Sequence, residues 1–137
     1  MAVIYVARSK TLSDWGSSVG ISKHLFKVGV ATDSAKQAIA ALNDQIYAGT
    51  EDWRLLKADD AGELTENEVL ERLTVKVKSV DPNYYPRTKG ANGIFRVKPQ
   101  DVENSMIVER AVAQEESLHF KLKPADYGVY LIKNARR

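Results

Sequence analysis

The 137-residue chain contains no cysteine, which excludes disulfide staples, thiolate metal sites and a cysteine nucleophile. Histidine is nearly absent as well: His24 and His119 stand far apart, so each reads as a surface or core residue and not as half of a dyad. No apolar run approaches the length that crosses a bilayer. The opening MAVIYVARSK lacks the basic segment and long apolar stretch of a secretory leader, so a cytoplasmic location without a membrane partner is expected. Walker loops, His-Glu-x-x-His, Gly-x-Ser-x-Gly and zinc spacings are also missing, which argues against nucleotide hydrolysis, zinc proteolysis and esterase chemistry.

What is present describes a soluble globular chain, with 44% hydrophobic and 28% charged residues. The length suits one domain with a proper core, residues 1–137, and is too short for two ordinary ones. The net charge of +2 does not by itself imply a polyanionic partner. Its distribution says more, because residues 81–98, DPNYYPRTKGANGIFRVK, hold four basic groups against one acidic group, together with three aromatics. Basic residues interleaved with aromatics suit phosphate and base contacts, and the other reading is a solvated loop. Tyr84, Tyr85, Arg87, Lys89, Arg96 and Lys98 are therefore the candidate nucleic-acid-binding residues.

Val3 to Val6 form a near-continuous apolar run, as expected of a strand buried on both faces. Residues 9–23, SKTLSDWGSSVGISK, are rich in Ser and Gly and predict a long loop. Trp15 within it is expected to pack. Leu25 to Val30 read as a second strand. Thr32 or Asp33 can cap a following helix whose Ala35, Ala38, Ile39, Leu42 and Ile46 share one face. DWRLLKAD is a third strand, with Trp53 in the core. TENEVLERLTVKVKSV opens with a capping box, Thr65 and Glu68, and predicts one helix through to Pro82 with Val69, Leu70, Leu73, Val77 and Val80 as its stripe. A short strand GIFRV follows, then a helix from about Gln100 to Ser117 with Val102, Met106, Val112 and Ala113 inward. The tail SLHFKLKPADYGVYLIKN predicts two strands about a Pro-Ala-Asp-Tyr-Gly turn. The order β-β-α-β-α-β-α-β-β implies a small α+β domain: a mixed or antiparallel sheet flanked by about three helices.

In that order, Val3-Ile4-Tyr5, Lys27-Val28-Gly29, a helix just after and ENEVL at 66–70 resemble the GIY-YIG nuclease superfamily. The resemblance covers residues 2–97 and leaves 98–137 as an extension of a helix plus a hairpin. Val3-Ile4-Tyr5 stand for the first half of the motif and Lys27-Val28-Gly29 for the second, with lysine in place of the second tyrosine. Asp33 keeps the polar position at the turn into the first helix. ENEVL is similar to the Glu-x-x-Leu-Ile pattern around the superfamily's metal-binding glutamate. GIF at 93–95 is similar to the Gly-Glu-Trp-Phe strand of one branch, without its glutamate.

The resemblance implies phosphodiester hydrolysis with Tyr5 as base, Lys27 as an electrostatic group and Glu66 holding one Mg2+ or Mn2+ ion. On a helical wheel Glu66 falls among Val69, Leu73 and Val77, toward the sheet, whereas Glu68 and Glu71 point away. A first-turn acid that only complements the helix dipole is the alternative for Glu66. Two departures stand out. The interval from Tyr5 to Lys27 is about twice the superfamily's usual spacing, so that 9–23 would be an insertion. The arginine position falls on Gln37, and its neighbour Lys36 is a point charge without a bidentate fork. The expectation is a nucleic-acid-directed protein, with DNA as the first partner and cleavage weakened by Gln37. The alternative is a non-catalytic binding or assembly module that meets a protein.

Overall fold

The computed structural model of the chain describes residues 2–21, 24–32, 34–80, 93–112 and 123–136, with side chains of 107–112 excepted. Among the described residues, five strands form one antiparallel sheet: β1 (Val3–Ser9), β2 (Leu25–Ala31), β3 (Trp53–Asp60), β4 (Lys78–Ser79) and β5 (Ile94–Arg96). Their spatial order is β3-β1-β2-β5-β4. Five helices accompany them: α1 (Lys10–Ser18), α2 (Ala35–Asp44), α3 (Glu66–Lys76), α4 (Pro99–Val112) and α5 (Pro124–Ala135). The α+β class and the antiparallel sheet agree with the sequence; the helix count and the order of elements do not.

β1 is an interior strand, paired with β2 on one side and β3 on the other. Its alternation separates two cores. Ile4 and Val6 join Phe26, Val28, Val69, Leu73, Phe95 and Leu131 on one face. Tyr5 and Ala7 join Leu12, Leu25, Ile39, Leu42, Trp53 and Ile94 on the other. Helices therefore cover both faces, which is why β1 reads as a continuous apolar run.

Three expectations need correction. Within the segment 9–23, expected to be a loop, residues 10–18 are a helix, since Ser9 caps α1 by accepting the amide of Leu12 and the helix buries Leu12, Ser13 and Gly16. Small residues on the buried face permit close packing, and the same Ser/Gly content imitates a loop. The helix at 65 keeps its capping box but ends at Lys76, six residues before Pro82. Val77 turns to extended backbone (φ −129°, ψ 139°), and Lys78 and Ser79 pair with β5. Alternating Val75, Val77 and the following Lys-Ser-Val favour a strand over further helix. Third, the tail is no hairpin over 124–135 but the helix α5. Pro124 occupies its first turn, the amide of Lys123 donates to Asp126, and Tyr127, Gly128, Leu131, Ile132 and Ala135 are buried at helical spacing. Because α5 packs on β1, β3 and α3, residues 124–135 belong to the core and are not an appendage.

The cap of α2 is Ser34, not Thr32, and Asp33 lies outside the described residues. In α4, Val102 is buried and Met106 packs on the core, whereas the side chains of Val112 and Ala113 lie outside the description. Trp15 is half-buried against the Tyr5-side core, and Trp53 is buried. His24 stacks on Tyr127 with ring centroids 5.3 Å apart, and His119 lies outside the described residues.

Gly128 sets the approach of α5 to the sheet: a Cβ there would stand 2.9 Å from the Cβ of Lys57. Gly128→Val forces α5 away from β3, and overpacking of this kind costs about 1–3 kcal/mol. We expect the urea midpoint to fall by that equivalent. An unchanged midpoint would mean that the helix does not rest on β3 at this residue.

A candidate active site across Gly29

The pairing of β1 with β2 sets Tyr5 opposite Gly29 and Ala7 opposite Lys27. Tyr5, Gly29 and Lys27 consequently share one sheet face, and Tyr5 and Lys27 are each only 5% exposed. Glu66 comes from the first turn of α3, whose buried residues Val69 and Leu73 pack on the opposite face. Its carboxylate nevertheless reaches the sheet where β5 has ended, and Oε1 accepts the amide of Val30 at 3.2 Å. Val30 belongs to the part of β2 that lies beyond its paired stretch with β5, Leu25–Lys27.

Glycine closes the arrangement. A Cβ at Gly29 would lie 2.6 Å from the Tyr5 hydroxyl and 2.8 Å from Glu66 Oε1, so any other residue would fill the space where phenol and carboxylate meet. Gly93 does similar work for Lys27. It has φ +83°, and a Cβ there would stand 2.8 Å from Lys27 Nζ and 2.6 Å from the carbonyl of Val28.

Tyr47 is the member that the sequence does not single out. Lys27 Nζ sits 5.0 Å from the centroid of its ring, a cation–π distance. Tyr47 occupies a short 3-10 turn (Tyr47–Gly49) between two residues with positive φ, Ile46 at 51° and Ala48 at 55°. Non-glycine residues in this region cost about 1–3 kcal/mol each and cluster at functional sites. Sequence patterns carry little signal for such a turn.

The electrostatics follow from burial. Desolvation, then the nearby Glu66 charge and Tyr47, push the Tyr5 phenol up from 10.0 to about 12. Tyr5 therefore keeps its proton throughout the neutral range. Burial pulls Lys27 below its ordinary value, and the Glu66 charge opposes that shift. Lys36 and Gln37 lie exposed on the first turn of α2, and among the described residues no hydrogen bond or ion pair ties either side chain to Tyr5, Lys27 or Glu66.

Of the other candidate residues, Arg96 and Lys98 come together with Lys76 and Lys78 around a cavity of about 160 Å3 at the β4–β5 edge. Asp101 is the acidic residue in that wall. The sequence hides Lys76 and Lys78 because it suggests one unbroken helix through them. Tyr84, Tyr85, Arg87 and Lys89 lie outside the described residues.

Compared with known proteins, the chain matches no family model, no curated protein and no solved structure.

The Tyr5 titration has a direct consequence for stability. A folded-state value above the unfolded one means that the folded chain holds this proton more tightly. That contribution is whole below pH 10 and is lost as pH rises from 10.0 to about 12. Lys27 acts with the opposite sign, so the informative comparison is with Tyr5→Phe, which leaves Lys27 in place. The displacement corresponds to about 3 kcal/mol, and Tyr5→Phe should flatten the alkaline limb of the urea midpoint by up to that much. Tyrosinate absorbance should also lose one late-titrating phenol. An alkaline limb identical to wild type would place the Tyr5 hydroxyl in ordinary solvent.

Proposed function

We propose that the chain is a nucleic-acid-directed protein of GIY-YIG endonuclease type whose phosphodiester chemistry is weak. The observation that carries this reading is the meeting of the Tyr5 hydroxyl and the Glu66 carboxylate over Gly29, with Lys27 on the same face. Three residues distant in sequence supply a phenol, a carboxylate and an ammonium. Such groups can serve hydrolysis of a phosphodiester in proton transfer, cation holding and charge stabilisation.

The residues present fit a divalent cation of the water-rich kind. Among the described residues no three His, Cys, Asp or Glu side chains form a metal-holding group, and the carboxylate this reading assigns to the cation is Glu66 alone. Mg2+ keeps several waters and often takes one or two carboxylates, and Glu66 is exposed to solvent. When bound, such an ion supplies Lewis-acid charge to a phosphoryl oxygen and acidifies its water. The chain's own contribution is to place Tyr5 as donor, Lys27 as fixed positive charge and Glu66 as the oxygen ligand. With a pKa of about 12, Tyr5 yields its proton only against added positive charge. Gln37 can donate hydrogen bonds yet cannot neutralise the charge that gathers on phosphate oxygens.

The test is cleavage of DNA, with RNA in parallel, in magnesium or manganese. Wild type should cut very slowly, Glu66→Ala should abolish the residue of activity, and Gln37→Arg should raise it, by less than the roughly hundred- to thousand-fold worth of a preorganised charged donor because residue 37 is exposed on α2. Brisk cleavage that survives Glu66→Ala overturns the assignment. The burial of Tyr5 and Lys27 favours a second reading, a scaffold that binds without cutting. Nucleic acid bound but uncut by both wild type and Gln37→Arg would select it.

Binding is expected to run along Lys76, Lys78, Arg96 and Lys98, where positive charge is concentrated. The double change Lys78→Gln with Lys98→Gln should lower affinity equally for all sequences. On duplex DNA it should also make the salt slope shallower by about 0.9 for each phosphate no longer neutralised. An unchanged slope removes this edge from the interface.

A further inference from the structure

A second cavity, of about 600 Å3, opens where the end of β1, the first turns of α1, the start of β3 and the N-terminus of α5 meet. It lies on the face opposite Tyr5: Arg8 continues the alternation of Ile4 and Val6, and its charge acts on the phenol of Tyr127 in α5. Three cations line it, Arg8, Lys10 and Arg54, against two carboxylates, Asp14 and Asp52. Asp52 is already engaged. It accepts from the Ser9 hydroxyl and from both the amide and the hydroxyl of Thr11, the latter two at 3.0 and 2.9 Å. Burial works against its charge, but those hydrogen bonds outweigh it and hold the carboxyl below its ordinary range.

Two buried polar atoms in the same wall have no partner among the described residues, the Ser13 hydroxyl and the Arg8 Nε. Ser13 is 3% exposed. An unmade hydrogen bond at a buried group is costly, and native folds leave few such atoms. Nε–H can only donate, and the hydroxyl of Ser13, which lines the same cavity, can donate as well, so the complement of the two is a group with several acceptor lone pairs. Leu56 and Pro124 add an apolar wall, and the volume falls within the range of small-molecule sites, well beyond that of a bare ion. We propose that this cavity binds a small-molecule phosphate monoester. Its phosphate is taken by Arg8 Nε and Ser13 Oγ in the field of Lys10 and Arg54, and its body lies against Leu56 and Pro124. Phosphate is favoured over carboxylate because the three cations outnumber the two carboxylates and phosphate offers more acceptor oxygens to the two unpartnered atoms. The proposal does not depend on the Tyr5–Glu66 site.

The test is a titration of the full 15N-labelled chain with inorganic phosphate, against chloride at constant ionic strength. The readouts are the Arg8 Nε–H and Ser13 amide resonances. Millimolar phosphate should move both saturably and raise the Tm, and acetate at the same concentrations should not. Arg8→Gln should weaken binding by about tenfold or more, the worth of a charge-assisted hydrogen bond. Arg54→Gln, at an exposed residue, should weaken it severalfold while leaving the ligand-free Tm unchanged. This second variant keeps the test decisive if Arg8→Gln unfolds. An equal response to acetate overturns the phosphate assignment. A phosphate response confined to Lys76, Lys78 and Lys98, or none at all with an ordered water held at Ser13, overturns the site.

Discussion

The pairing of Tyr5 with Gly29 is the contact on which most of this molecule depends. It fixes the register of the two central strands, and a slip by one residue would exchange every side chain between the two cores. Ile4 and Val6 would then leave the face covered by α3 and α5, and Tyr5 would join it. The same pairing places a residue without a side chain beneath the phenol. The Glu66 carboxylate can therefore cross from the far side of the sheet and come within reach of the Tyr5 hydroxyl. Core packing and site geometry thus rest on one register.

Burying an ammonium and a phenol next to each other is costly unless each has something to face. Lys27 has the Glu66 charge and the ring of Tyr47. Glu66 in turn has the amide of Val30, which β5 leaves beyond its paired stretch because that strand is only three residues long. The shortness of β5 thus has a consequence at the site, because a longer strand would compete with the carboxylate for the β2 edge.

The sequence makes some of this legible and hides the rest for identifiable reasons. β1, β2 and β3 are readable from their apolar runs, and α3 from the Thr65–Glu68 capping box, which the structure retains. The side of α3 that Glu66 occupies is also readable, from its spacing to Val69 and Leu73. The helix α1 is hidden because its buried face uses Leu12, Ser13 and Gly16, a set with little hydrophobic contrast. In α5, Tyr127, Val129 and Leu131 alternate like a strand. The helical set of Tyr127, Leu131 and Ala135, with Pro124 and Asp126 in the first turn, is the better guide. Tyr47 cannot be found by pattern, because its place comes from tertiary contacts made by a strained turn.

That turn is held from several directions. The carbonyl of Tyr47 accepts the indole N–H of Trp53 at 3.0 Å and the Thr50 hydroxyl at 3.3 Å. Trp53 is itself fixed by Asn43, whose side chain accepts the backbone amide of Trp53 at 2.7 Å and donates to its carbonyl at 3.2 Å. The rings of Tyr47 and Trp53 meet edge to face at 6.2 Å. Backbone strain at Ile46 and Ala48 persists only where the surroundings over-determine it, and here the end of α2, the start of β3 and the turn's own hydrogen bonds do so. The result is an aromatic face held beside the one ammonium that the β2 strand carries into the core. A freely rotating tyrosine on a relaxed loop would lose that position to solvent. The strain therefore has a physical return in the fixed placement of Lys27, and through Lys27 in the charge balance around Tyr5 and Glu66.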